Sequence, residues 1–141
     1  MKVKFKKLFP GAVVPSYAKE GDAGLDVVAL HILENTADQI VYRTGIALEL
    51  PPNHVCLIFP RSSIRNYGLT LANTVGVLDS GYRGELTFTF NKTEGPRSRT
   101  YIPGDRIGQL LIVPYPHIEL EEAEELSESE RGANGHGSTG N

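Results

Sequence analysis

The chain has 141 residues, 40% of them apolar and 22% charged, which suits one soluble globular domain with a real core. A net charge of -3 offers no general basic field for duplex nucleic acid. The single cysteine, Cys56, excludes an intrachain disulfide and a cysteine-based zinc finger.

The N-terminus, MKVKFKKLFPGAVVP (1–15), is basic and then apolar, as a signal peptide is. Pro10, Gly11 and Pro15 break it too early, and lysines alternate with Val3 and Phe5 as in a strand. No apolar run approaches membrane-spanning length, so a cytoplasmic protein with no membrane association is expected. Further strands are predicted at LDVVAL (25–30), YRTGIALEL (42–50), HVCLIF (54–59), LTFTF (86–90), RIGQLLIV (106–113) and HIELEE (117–122). Each is short, rich in β-branched or aromatic residues and bounded by turn formers. Strands of this length and spacing predict an all-β sandwich, barrel or jelly roll. Cys56 within its apolar run reads as a buried small hydrophobe. In SSIRNYGL (62–69), Ser62 as N-cap and Gly68 as a stop leave room for one short helix. ELEEAEELSESE (119–130) reads as a last edge strand passing into a solvated linker. The expected layout is therefore one domain: a core over 1–118, the acidic strand and linker over 119–130, and a glycine-rich arm over 131–141.

Several stretches hold chemistry. RGANGHGSTG (131–140) has four glycines and no apolar anchor, so taken alone it is a loose end. It nonetheless offers Arg131, accessible backbone N–H groups and the Ser138 and Thr139 hydroxyls to an anion. PRSSIRNYG (60–68) sets Arg61, Ser62 and Ser63 before a helix start, either an ordinary cap or a phosphate site. In ANTVGVLDSGYRGEL (72–86) a strand runs into what reads as a hairpin with its tip near Ser80–Gly81. Asp79 there is either a turn-forming carboxylate or a general base, with Tyr82 as a flat platform. DAGLD (22–26) puts Asp26 at a strand start, and RIGQL (106–110) puts Gln109 in an apolar strand, where its amide needs partners. The four histidines form no paired ligand spacing, so a protein-coordinated zinc is not expected. G-x-S-x-G is absent.

The order of AGLDV, PRSSI, GVLDSGYRGEL, RIGQL and RGANGHGSTG along the chain resembles the five motifs of the trimeric dUTPases over nearly the whole length. The resemblance implies a distorted jelly-roll or β-prism subunit in a homotrimer that exchanges C-terminal arms, with each active site shared between subunits. The implied reaction is Mg2+-dependent hydrolysis of dUTP to dUMP and pyrophosphate, which lowers dUTP and supplies dUMP for thymidylate synthesis. By position, Asp79 would deprotonate the water that attacks the α-phosphorus, and Gln109 would hold that water and the α-phosphate. Asp26 would meet, through water, a Mg2+ held mainly by the triphosphate. Arg61, Ser62 and Ser63 would bind phosphates. Asn73 and the backbone at Gly76 would read uracil, and Tyr82 would pack on the deoxyribose. From the arm, Arg131, Gly137, Ser138 and Thr139 would grip phosphates while His136 covers the base. The chain departs from the family pattern at Gly81, where a second acid is frequent, and at His136, where phenylalanine is usual. The alternatives are a dCTP deaminase of the same fold, which would need a glutamate in the strand after the third motif, and a regulatory member with reduced turnover. LTFTFN (86–91) contains no carboxylate, and every expected catalytic side chain is present.

Overall fold

A computed structural model describes residues 1–95 and 99–135 of the chain. Ten strands account for nearly all of its regular structure: β1 (Lys4–Lys7), β2 (Leu25–Val28), β3 (His31–Asn35), β4 (Gln39–Arg43), β5 (Ile46–Glu49), β6 (His54–Phe59), β7 (Leu69–Leu71), β8 (Gly76–Leu78), β9 (Thr87–Lys92) and β10 (Arg106–Pro114). Among the described residues the one helical element is a 3-10 helix, Ser62–Asn66. The strands form three antiparallel sheets, β1-β5, β2-β10-β6-β8 and β3-β4-β9-β7. The fold is all-β, as the sequence predicts.

The alternation along the strands explains the core. Val27, Cys56, Ile58, Leu78, Ile107 and Leu110 come from one four-stranded sheet; Ile40, Tyr42, Leu69, Leu71, Phe88 and Phe90 come from the other. They meet in a single buried cluster with Tyr101, as inner faces of stacked sheets do. Cys56 is fully buried there, and burial pushes its thiol up to about 11, so it is an inert core group rather than a nucleophile.

Four local expectations differ from the structure. YRTGIALEL is two strands, because Gly45 takes φ 71° and lets the chain leave the β3-β4 sheet for a pairing of β5 with β1. Ser62 is not the N-cap. Arg61 holds that position in an extended conformation with no side-chain cap bond, and its carbonyl accepts the first turn's bond from Ile64 N–H at 3.0 Å. The stretch around Ser80 is not a two-stranded hairpin either, since β8 pairs with β6 and β9 with β4 and β7. It is a tight turn at 79–82, closed by Tyr82 N–H donating to Asp79 O at 3.1 Å, that carries the chain from one sheet to the other. Finally, no strand forms after β10 within the described residues; a strand needs a neighbouring ladder, and this chain gives that segment none.

The crossing from β8 to β9 is tied down by Glu85. Arg43 Nε and Nη2 donate to its carboxylate at 3.3 and 2.9 Å, and Gly45 N–H donates to it at 2.8 Å. The Arg43 guanidinium also lies 4.1 Å over the Phe9 ring. Both side chains are largely covered, 28% and 14% exposed. Glu85→Ala should therefore lower unfolding free energy by about 2 kcal/mol, less than for a fully buried pair because water still reaches Arg43. Urea titration of the two proteins measures this.

Candidate functional site

Two groups of polar side chains stand apart from the core. The first gathers at the Phe59 end of β6. The β10–β2 register sets Gln109 opposite Asp26, and the β10–β6 register sets Gln109 opposite Phe59, just before Pro60 and Arg61. Three stretches far apart in sequence thus converge. Arg61 Nε donates to Asp26 Oδ1 at 3.0 Å, and Arg106 Nη1 donates to Asp26 Oδ2 at 2.9 Å. The carboxylate, 14% exposed, holds two guanidinium groups side by side, 26% and 51% exposed. Two cations kept together on one acid form a cradle for a polyanion. Arg61 Nη1 also reaches Ser63 Oγ at 3.5 Å, and Ser62 is exposed at the head of the 3-10 helix. Gln109 Nε2 donates to Pro60 O at 3.3 Å, the partner its place in an apolar strand requires.

Arg106 is the member of this group that sequence reasoning passed over. It stands inside RIGQL, but only its Cα position across β2, opposite Val28, brings it to Asp26.

Gln109 has little latitude. A Cβ on Gly24 would come within 2.6 Å of Gln109 Oε1 and 3.3 Å of its Cβ and Cδ. Gly24→Ala should leave the sheet folded, since a side-chain end can yield, but displace the Gln109 amide. If Gln109 plays the part the resemblance implies, turnover should fall about 10- to 100-fold, the scale of a ~1 Å misplacement in an active site, with Tm nearly unchanged. Steady-state kinetics and thermal melting test the pair of expectations together.

The second group surrounds the passage from β8 to β9. A cleft of about 170 Å3 is lined by Ile58, Val77, Leu78, Asp79, Tyr82, Glu85, Leu86 and Thr87. A neighbouring one of about 400 Å3 is lined by Ile58, Leu71, Ala72, Asn73, Thr87 and Thr89. Ile58 and Thr87 are common to both, so the two are halves of one depression of nucleoside scale. Gly76 backs it closely: a Cβ there would lie 2.9 Å from that of Ile58 and 3.2 Å from Asn73 Nδ2. Thr74, next to Asn73, has φ 60°, a strained conformation for a β-branched residue, of the kind that collects at binding loops. The Tyr82 ring is exposed at 46%, with its hydroxyl donating to Glu85 O at 3.2 Å. Of the two carboxylates lining the depression, Glu85 is committed to Arg43 and Gly45, which leaves Asp79 at the rim.

The two groups do not meet within one chain. Leu78 pairs with Cys56 and Gln109 with Phe59, on opposite sides of β6. Three residues of strand and two strand spacings separate them, roughly 10 Å in each direction, and the chain at Asp79 runs further away. Arg131 is described and exposed, its Nε donating to Asn134 O at 3.0 Å. His136, Gly137, Ser138 and Thr139 lie outside the described residues. Among the described residues, no three His, Cys, Asp or Glu side chains could together hold a metal ion, and no helix is long and apolar enough to cross a membrane.

The fold and these two groups define a class: an all-β protein with a double-arginine anion cradle and a nucleoside-sized depression bearing one uncommitted carboxylate. A family model described as dUTPase matches residues 11–140. Curated relatives include the deoxyuridine 5'-triphosphate nucleotidohydrolases of Crocosphaera subtropica, 39% identical over 99% of both chains, and of Gloeothece citriformis, 40% identical over 99% of this chain and 97% of the relative. Among solved structures, the dUTPase of Staphylococcus bacteriophage 80alpha with dUPNHPP superposes with a TM-score of 0.81 at 28% identity, covering 99% of this chain and 98% of that one. The chain belongs to the dUTPase family.

Proposed function

We propose how this chain carries out the reaction of its family, the hydrolysis of dUTP to dUMP as a dUTP diphosphatase. The observation that carries the reading is the division of labour between the two groups: one offers guanidinium groups for phosphates, the other a recess and an uncommitted carboxylate for a nucleoside. Uracil enters the depression against Asn73 and the backbone at Gly76. A closely packed backbone leaves no room for a 5-methyl group, and steric exclusion discriminates more strongly than a missing methylene does. Tyr82 packs on the deoxyribose. Arg61, Ser62, Ser63 and Arg106 face the phosphates. Asp79 takes the proton of a water that attacks the α-phosphorus in line, the water's oxygen bonding to phosphorus as the bond to pyrophosphate breaks. Gln109 holds that water and an α-phosphate oxygen.

A divalent metal is the cofactor of this family, and we assign Mg2+. The donor set favours an ion that arrives on the triphosphate over one resident in the protein, because both oxygens of Asp26 already accept from guanidinium groups. Asp26 would reach the ion's shell through water. When bound, the ion neutralises charge on the phosphates.

The separation of Asp79 from Gln109 in one chain supports a homotrimer in which neighbours complete each site. Two further observations support arm exchange. A cavity of about 480 Å3 beside β1 is lined by apolar groups including Val3, Phe5, Leu111 and Val113. Every described residue from 114 to 135 is exposed, with Ile118 at 71% and Leu120 at 93%. These apolar residues alternate with Glu119 and Glu121 as Val3 and Phe5 alternate with Lys2, Lys4 and Lys6. A neighbour's tail laid along β1 would match apolar to apolar and acid to base. It would carry Arg131, His136, Gly137, Ser138 and Thr139 onto the bound triphosphate, with the linker at 119–130 between core and arm. The setting we assign is cytoplasmic.

The deaminase alternative has no support: β9 contains no carboxylate, and the Arg43 ion pair holds Glu85. The test is release of pyrophosphate from dUTP with Mg2+, with no ammonia from dCTP. Ammonia without pyrophosphate would overturn the assignment.

A further inference from the structure

Gly84 stands between Tyr82 and Glu85 in the passage from β8 to β9, and its backbone does not ask for glycine. Its φ lies outside the left-handed region where glycine is favoured. What asks for glycine is the Tyr82 ring. A Cβ on Gly84 would overlap Tyr82 Oη and Cζ and lie 3.0 Å from Cε2. The ring therefore folds back over a bare Cα, and its hydroxyl reaches the Glu85 carbonyl at 3.2 Å. Gly81, in the same passage, is the contrast: nothing lies within 4 Å of a Cβ placed there.

The seat itself is anchored. Arg43 and Gly45 N–H hold the Glu85 carboxylate, Thr44 Oγ1 donates to Leu86 O at 2.7 Å, and Leu86 N–H donates to Ile46 O at 2.8 Å. At the other end, Tyr82 N–H is tied to Asp79 O. The atoms that a Cβ on Gly84 would meet belong to the far end of the Tyr82 side chain, which is half exposed. The ring, and not the backbone, would give way. A side chain at position 84 would lift it off its seat beside the cleft it lines with Asp79 and break its bond to Glu85 O, while leaving the core beneath undisturbed.

We infer that Gly84 is a positioning residue for sugar selection: its bare Cα seats the Tyr82 ring where the ring admits a deoxyribose and turns away a ribose. This rests on the reading of Tyr82 as the platform for the sugar. An apolar ring face in contact with a deoxyribose has no space for a 2′-hydroxyl, and a hydroxyl forced against it loses water without gaining a partner. Such a barrier lasts only while the ring keeps its place. The ring is held from beneath by the absence of a side chain at Gly84 and at its tip by Glu85 O. The choice between the two sugars thus turns on a residue that itself touches no substrate.

The experiment measures kcat/KM for dUTP and for UTP, and thermal melting, in the unaltered protein, Gly84→Ala, Gly81→Ala, Tyr82→Ala and the variant carrying both Tyr82→Ala and Gly84→Ala. Gly84→Ala should leave Tm nearly unchanged and lower the dUTP-to-UTP ratio of kcat/KM about 10- to 100-fold. Gly81→Ala, which stiffens the same passage without meeting the ring, should keep the ratio. Tyr82→Ala should lower it too, and adding Gly84→Ala should then change nothing more, since both act through one ring. An unaltered ratio in Gly84→Ala, with the ratio lowered in Tyr82→Ala, overturns the inference alone. An equal loss in Gly81→Ala overturns it by tracing the effect to backbone stiffness. A lowered Tm with both substrates slowed alike also overturns it, by giving Gly84 a structural role. An unaltered ratio in Tyr82→Ala overturns the sugar assignment beneath it.

Discussion

Asp79→Asn should lose nearly all pyrophosphate release from dUTP while still binding dUpNHpp within a few-fold of the unaltered protein. The substitution keeps the shape of the side chain and its place at the rim, and removes only the ability to take a proton. A positioned general base contributes about 10^2- to 10^4-fold, so kcat should fall by that order and KM should change little. Among the described residues, the geometry leaves no substitute nearby. Glu85 lines the same cleft, but Arg43 holds both of its oxygens and Gly45 N–H donates to one of them. An Asp79→Asn protein with ordinary turnover would remove the mechanism.

Mixing two inactive chains should restore activity. If Asp79 and Gln109 serve a site from different subunits, trimers assembled from Asp79→Asn and Gln109→Ala chains contain some sites with both intact residues. Random assembly of equal amounts in a cyclic trimer makes one site in every mixed trimer complete, about a quarter of all sites. The mixture, denatured and refolded together, should therefore regain about a quarter of normal turnover. Chains refolded separately and then combined should remain inactive for as long as subunits do not exchange. If the co-refolded mixture stays inactive while mixed trimers are present, Asp79 and Gln109 do not serve one site from different subunits.

The parts of the fold that were legible depended on local pattern. Short alternating runs bounded by glycine, proline and asparagine identify most of the strands, because side-chain alternation and turn formation are decided within a few residues. β3 escaped notice because all five of its residues are exposed, so it has no buried face to generate a pattern. The apparent single strand at 42–50 shows the reverse failure. Its composition is uniformly strand-like, and only the turn at Gly45 divides it. The last predicted strand, HIELEE, has the right alternation but no ladder in its own chain.

The site divides in the same way. Asp26, Arg61, Asp79 and Gln109 could be selected by residue type and by the order of their motifs, both properties of the sequence. Arg106 was visible but unremarkable until the pairing of β10 with β2 brought it to Asp26. By itself, the sequence determined the all-β class, the family resemblance and the chemical groups available, since these follow from composition, periodicity and spacing. Only the tertiary structure decided which groups face one another: Arg61 and Arg106 on one carboxylate, and Asp79 and Gln109 on opposite sides of β6. The physical reason is that ladder register fixes those neighbours, and register depends on contacts between residues dozens of positions apart.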